Sequence, residues 1–387
     1  PGYPRTNRRK AHSPGAHDMK ALVYTASIAR YLLARTLGKR IPLGLLPLRL
    51  REMPEPEPPE GWERGKVLLS GICGSDLALL LGKSSPRLAP FFSFPAVLGH
   101  EIVAEVGGVR AAVNPLLTCR ERGLPLCPAC EKGEDALCQN VAEGNLAPGM
   151  LGYHRDLPGG WGERIVVHSS RVYPLPGDVP NERGLLAEPL AVVLRGLRLV
   201  SVDPKEPVLI LGAGTIGLLT VASLKILGHR GSIEIIARHA LQAHLAEELG
   251  AKVRRNVEEA TKEQGAKKYP APMGPPAWRG GFPFVIDAAG TETSFDQALW
   301  SVVEGGTILL LGAPGAVKLD LSPLWFRGIR VFGTCAYSEN DFKQAVEVLR
   351  EGKGLEKIVT HTFPLTDYRA ALRTVLSRRG IKVAFRP

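Results

Sequence analysis

The spacing of polar and apolar residues changes character near residue 207. Before it, short apolar runs alternate with polar residues at the two-residue period of β-strands. MKALVY (19–24) and KVLLSG (66–71) are two such runs, AVLGHEIVAEV continues the pattern, and GGWGERIVVHSSRVYPLP reads as a further pair of strands. Between the first two runs, ARYLLARTLGKR places its apolar residues at helical spacing, and Pro42 and Pro47 stop that helix. Met53–Trp62 is proline-rich, which excludes a central strand there. The turn GICG opens a short helix near Ser75. This half therefore predicts antiparallel β structure.

After Pro207, strands and helices take turns. PVLILGAG, SIEIIA, PFVIDAAG and GTILLLG read as buried strands, and TIGLLTVASLKILG, ALQAHLAEELG and TSFDQALWSVV as the helices between them. That alternation predicts a parallel, doubly wound sheet. The Pro- and Gly-rich stretch Gln264–Gly281 reads as a surface loop. A helix over Glu339–Arg350, a strand and another helix follow.

At 387 residues the chain is long enough for two domains. A hydrophobic content of 44% and a mean hydropathy of +0.00 are those of an ordinary soluble protein. The net charge is +11. Four cations, Arg5, Arg8, Arg9 and Lys10, lie in the nearly apolar-free segment 1–18, which is expected to be a disordered extension or a mis-assigned start rather than a nucleic-acid or membrane arm. No apolar stretch reaches the 18 residues of a membrane span, and nothing resembles a signal peptide. A cytoplasmic location is expected, where six cysteines serve as metal ligands rather than disulfides.

The candidate chemistry sharpens this picture. GAGTIG (Gly212–Gly217) follows the strand VLIL and opens a helix, and that context separates a dinucleotide fingerprint from a mere glycine-rich turn. Gly212 permits the tight turn, Gly214 lets the backbone approach a pyrophosphate, and Gly217 allows close helix packing. Thr215 and Ile216 open the helix whose free N–H groups face the anion. The second strand ends IIARH. Where an NAD site wants an acid, this chain has Ala237 and Arg238. An arginine there pairs with a 2′-phosphate, which favours NADP; the other reading is a solvated arginine in an enzyme that uses either cofactor.

Cys127 and Cys130 form C-P-A-C, with Cys119 before and Cys138 after. Four thiolates close a tetrahedral zinc site with no open position, a structural site. The polar loop around them lacks a core of its own, and a metal would supply the missing folding energy; a redox C-x-x-C or loose thiols are the alternatives. Cys73 (GICGSD), His100 and Glu101 (GHE) and Glu188 (LAEPLAV) lie too far apart for a finger. Catalytic zinc sites are assembled from such distant residues. Taken singly, they are a core cysteine, a structural histidine and a helix-start acid.

Together, GICGSD, GHE, the cysteine loop, GGWGERIVV, LAEPLAV, GAGTIG and IDAAG resemble the zinc-containing medium-chain alcohol dehydrogenase family, in its polyol, sugar and threonine dehydrogenase branch. The resemblance runs from Met19 onward. It implies an α/β-plus-β protein: a GroES-like β-barrel catalytic domain (19–188, with a structural zinc loop at 119–138), a doubly wound Rossmann coenzyme domain (189–333) and a return to the catalytic domain (334–387). It implies two zinc ions per chain. Cys73 and His100 would hold the catalytic ion, with Glu101 and Glu188 binding directly or through water. Ser75, Asp76 and Glu101 form the catalytic set, Ser75 relaying the substrate proton and Asp76 orienting His100. Hydride would pass between the hydroxyl of an alcohol, polyol or sugar and NAD(P). A homodimer or homotetramer is expected, with neither nucleic acid nor membrane as partner.

Zn²⁺ with one thiolate and two carboxylates carries a net charge of minus one, so Glu188 is expected to exchange with water or substrate. Three features depart from the family pattern: Ala78 stands where a relay histidine is common, Cys119 lies further from Cys127 than C-x-x-C, and 102–118 has room for only two strands of about five residues and a turn. A zinc-free quinone or enal reductase of the same fold is the second reading, against which Cys73 and the cysteine loop argue. A basic, zinc-stabilised nucleic-acid-binding protein, which GAGTIG and GHE argue against, and an inactive relative are the others.

Overall fold

The computed structural model describes residues 18–312 and 315–387. The second half forms a six-stranded parallel sheet in the order Lys252–Arg254, Ile233–Ile236, Val208–Leu211, Phe282–Asp287, Val302–Leu310, Arg330–Gly333. The order reverses beside Val208–Leu211, and such a switch point leaves a crevice at the carboxyl ends of the strands. The glycine turn occupies that crevice. Its strand is wholly buried, as is the stretch Gly217–Leu224 of the helix Thr215–Ile226, in keeping with their strongly apolar sequence. Two edge strands and the short helices Val257–Glu263 and Ser322–Phe326 had no clear periodicity in the sequence.

Gln264–Gly281 departs from expectation. It is an antiparallel hairpin, Lys267–Tyr269 against Ala277–Arg279. Trp278 is buried and stacks on Trp300 with ring centroids 4.9 Å apart. One aromatic anchor thus orders a segment whose composition reads as loop.

The first half is antiparallel, as its alternation predicts. Seven strands form one sheet: Val359–Phe363, Lys382–Phe385, Trp62–Gly71, Ile102–Val106, Val109–Val113 and Val172–Pro174 in order, with Arg164–His168 also paired to Trp62–Gly71. The strand expected from Lys66 begins at Trp62. The short segment 102–118 holds an intact hairpin, with Val106 opposite Val109 across the pair Gly107–Gly108. Both glycines have positive φ, 56° and 79°, the backbone a tight two-residue hairpin turn needs. The shortening is absorbed by that turn.

A smaller sheet joins Leu48–Pro54, Asp18–Tyr24 and Ala96–Val97. Asp18, expected in the extension, instead opens a strand opposite Pro54; the rest of the segment lies outside the described residues. The helix Ile28–Leu37 starts at a Ser27 cap and stops at Gly38, four residues before Pro42. No described helix is long and apolar enough to cross a membrane.

Helix Ala187–Val200 ties the two halves together: its leucines share one core with Leu69 and Val103 of the barrel and with Ile210 and Leu218 beside the glycine turn. Past Arg350 the chain returns to the barrel, and its final strand, Lys382–Phe385, was missed in the sequence. Phe385 meets Trp161 edge-on at 5.2 Å.

Candidate active site and metal centres

Cys73 caps the helix Gly74–Leu80, and its N–H donates to Asp76 Oδ2 at 2.9 Å. His100 and Glu101 stand at the mouth of strand Ile102–Val106. The Cys73 sulfur, a His100 ring nitrogen and a Glu101 carboxylate oxygen all lie within 4.8 Å of one another. A thiolate, an imidazole and a carboxylate converging so closely fit a zinc ion with a position left open. Gly71 makes room for them: a Cβ there would stand 1.8 Å from Glu101 Oε2.

Asp76 is fully buried beneath this trio. Its Oδ1 lies 3.4 Å from His100 Nδ1 and accepts the Tyr153 hydroxyl at 3.0 Å. Ser75 Oγ lies 3.1 Å from the Tyr153 oxygen and 3.4 Å from His100 Nε2. An ionised carboxylate only accepts, so Tyr153 donates to Asp76 and receives from Ser75. Burial works against the imidazolium of His100, yet the neighbouring Asp76 and Cys73 hold its pKa well above the usual value. A metal ion there competes with that proton.

Glu188 stands outside the 4.8 Å trio, buried in the first turn of Ala187–Val200. Burial pushes its carboxyl up to about 7, with His100 opposing and Glu101 adding to the rise. Lys382 escaped the sequence reading. Its ammonium donates to both Glu101 oxygens, at 2.6 and 2.7 Å, in a fully buried pair. The signal was a lysine inside the apolar run IKVAF, a position lysine seldom occupies unpaired. Its charge brings the count around a zinc ion from minus one to zero. Tyr153 gave no comparable signal.

Cys119, Cys127, Cys130 and Cys138 are buried, with their sulfurs within 4.8 Å of one another. Cys119 and Cys138 are 3.7 Å apart at sulfur. Tetrahedral zinc with bonds of about 2.3 Å sets its sulfurs about 3.8 Å apart, whereas a disulfide is about 2.05 Å. Backbone N–H groups of Cys127, Gln139 and Asn140 point at three of the sulfur contacts, each at 3.4 Å. Those of Gln139 and Cys130 lead in lowering Cys127 to about 6. The wide Cys119 spacing is filled by a turn around fully buried Arg122, which bonds the carbonyls of Leu117 and Gly149 at 3.0 and 2.7 Å. Arg171 pins the loop through Glu121 and Asp135, at 2.8 and 2.7 Å.

At the switch point a cavity of about 500 Å³ is walled by Gly212, Gly214 and Arg238 among others. Gly212 has φ +102°, and a Cβ on Gly217 would lie 1.9 Å from the Gly212 carbonyl. Gly214 has nothing within 4 Å of a notional Cβ, which leaves its backbone open to a ligand. Thr215, Ile216 and Gly217 form the first helical turn behind this wall. Glu234, the acid nearest the end of the second strand, is buried and held by Arg254 at 2.6 Å.

The site's parts recur in known proteins. The Alcohol dehydrogenase GroES-like domain matches residues 62–177, and the Zinc-binding dehydrogenase domain matches 215–351. The chain is 27% identical over 345 residues to L-galactonate-5-dehydrogenase of Escherichia coli, spanning 86% of this chain and 92% of that one. It is 30% identical over 314 residues to a probable (R)-acetoin-forming diacetyl reductase of Saccharomyces cerevisiae, spanning 73% and 72%. A solved zinc-binding dehydrogenase of Sinorhizobium meliloti, bound to NADP, superposes with a TM-score of 0.71 at 26% identity, over 96% of this chain and 100% of that one. The acetophenone reductase of Geotrichum candidum shares the fold at a TM-score of 0.74 and 20% identity, over 97% and 99%. A converging thiolate, imidazole and carboxylate, a glycine turn at the switch point and these likenesses all point one way: the chain belongs to the zinc-binding alcohol dehydrogenase family.

Proposed function

We propose that the protein is a zinc-dependent, NAD(P)-linked dehydrogenase of a polyol, sugar or related secondary alcohol. The convergence of Cys73, His100 and Glu101 within 4.8 Å carries the reading. Zinc bound there supplies a Lewis acid that makes a hydroxyl more acidic, and NAD(P) supplies the hydride acceptor. Cys73 and His100 hold the ion, Asp76 fixes the His100 ring, and Lys382 neutralises Glu101. Glu188, outside the trio, would serve as an exchangeable donor to the ion. Ser75 is exposed, hydrogen-bonded to Tyr153, and takes the substrate proton. With Ala78 where a relay histidine would stand, that proton leaves to water. A second zinc in the four-cysteine loop is structural.

Arg238, with no acid beside it to hold a 2′-hydroxyl, supports NADP over NAD. The reading is tested by zinc content and by nucleotide reduction across polyols, aldonates and short diols. About two zincs per chain and NADP-linked turnover are expected, with Ser75→Ala keeping zinc while losing rate. A metal-free protein inert with both nucleotides would sink it.

A second copy of the chain is the partner the surface fits. Every residue of edge strand Arg330–Gly333 is exposed, beside Leu321, Trp325 (78% exposed) and Phe326. Such an edge invites pairing about a twofold axis. Light scattering should give twice the 41.7 kDa chain mass or a multiple of it, and Val331→Lys should shift the protein toward monomer. A monomeric wild type rejects this assembly.

A further inference from the structure

The helix Tyr368–Leu376 closes with an unexpected residue at its end. The Arg378 N–H reaches the Val375 carbonyl at 2.9 Å, and the Arg379 N–H reaches the Thr374 carbonyl at 3.1 Å. This pair of bonds is the Schellman closure, whose left-handed position is usually glycine. Here it is Arg378, at φ 57°. A Cβ is disfavoured in that backbone conformation, so the fold alone would prefer glycine.

The arginine is well placed for another purpose. With Val375, Gly380 and Ile381 it forms the part of the cofactor cavity wall that comes from the C-terminal segment, in the same cavity as Arg238 and the glycine turn. Arg254 is held by Glu234 and Glu263. Arg238 and Arg378, by contrast, have no carboxylate partner among the described residues. The positive field extends further. Burial lowers the pKa of Lys39, and the charges of Arg378 and Lys83 lower it more. Lys39 itself belongs to the stretch Met19–Arg51, which contains no Asp or Glu. A cavity rimmed by unpaired cations suits a phosphate group.

We infer that Arg378 is a phosphate-binding residue of the cofactor cavity, reaching a phosphate of the dinucleotide from the C-terminal segment while Arg238 faces the same cavity from the sheet. The inference rests on the reading that the cavity takes NAD(P). Two phosphates qualify, the pyrophosphate common to both nucleotides and the 2′-phosphate of NADP, and binding data separate them.

Arg378→Gly is the test, with dissociation constants for NADPH and NADH measured by nucleotide fluorescence on the zinc-loaded protein, alongside the melting temperature. The substitution removes the guanidinium and supplies the residue that the turn prefers. The melting temperature without nucleotide is expected to rise by about 1–2 °C. Nucleotide affinity is expected to fall about 10- to 100-fold. A fall for NADPH alone assigns Arg378 to the 2′-phosphate, and an equal fall for both assigns it to the pyrophosphate. Unchanged affinity overturns the inference, as does a fall in affinity that comes with a lower melting temperature. A wild type that binds neither nucleotide overturns the dinucleotide reading itself, and the inference with it.

Discussion

Cys73→Ser is expected to yield a folded protein with one zinc fewer and at least about a thousandfold lower kcat/KM, since the Lewis acid contributes several kcal/mol to the transition state. The substitution isolates chemistry from folding. Cys73 is the N-cap of Gly74–Leu80, and its own N–H is bonded to Asp76. Serine is among the best N-cap residues, so the helix should persist. The loss then falls on the sulfur, the softest donor of the trio. Metal analysis should fall from about two zincs per chain to about one, with the four-cysteine site unaffected. Glu188→Gln provides the contrast: it should keep both ions while reducing turnover, because Glu188 stands outside the trio. A Cys73→Ser protein that retained full metal and full rate would remove the basis of the assignment. Zinc retention should also weaken as pH falls, because protons favoured on His100 by Asp76 and Cys73 compete for the same donor.

Lys382→Met should be the most damaging single change to the fold near the site, at about 3–5 kcal/mol. Glu101 is fully buried, and Lys382 contacts both of its oxygens. Removing the ammonium leaves a carboxylate that water cannot reach. The expected signs are a lower urea midpoint and a large fall in zinc occupancy. The double variant Glu101→Gln with Lys382→Met should recover much of the stability, because no charge is then stranded, though not the activity. A Lys382→Met protein as stable as wild type would show that the pair is dispensable.

Much of this architecture is legible in the amino-acid sequence. VLIL is a continuous apolar run, IEII and FPFVID are each interrupted by one acid, and such strongly apolar segments become the buried strands of a parallel sheet. GAGTIG announced its own turn because each glycine answers a steric demand. The metal-ligand candidates were legible because Cys and His are rare and their motifs stood in order. What escaped was set by distant contacts. The hairpin at 267–279 depends on Trp278 meeting Trp300, a partner no local pattern names. Tyr153 becomes part of the site only because the fold lays its hydroxyl on Asp76. The pairing of Lys382 with Glu101 spans 281 residues. Arg122 carried no signal of its own in that polar loop, and it forms the hub on which the cysteine loop is wound.

That last strand also bears on how the protein is made. Lys382–Phe385 is inserted between Val359–Phe363 and Trp62–Gly71, so the barrel that Trp62–Gly71 opens is completed only after the parallel sheet of 208–333 has been made. A nascent chain on the ribosome would present Cys73, His100 and Glu101 early, with the Glu101 charge uncompensated until Lys382 emerges. Domains form from the N-terminus as synthesis proceeds, yet here the first domain must wait for the second to be translated. Loading of the catalytic ion should therefore wait until residue 382 has emerged, and a ribosome stalled before that point would carry a Rossmann sheet beside an unfinished barrel.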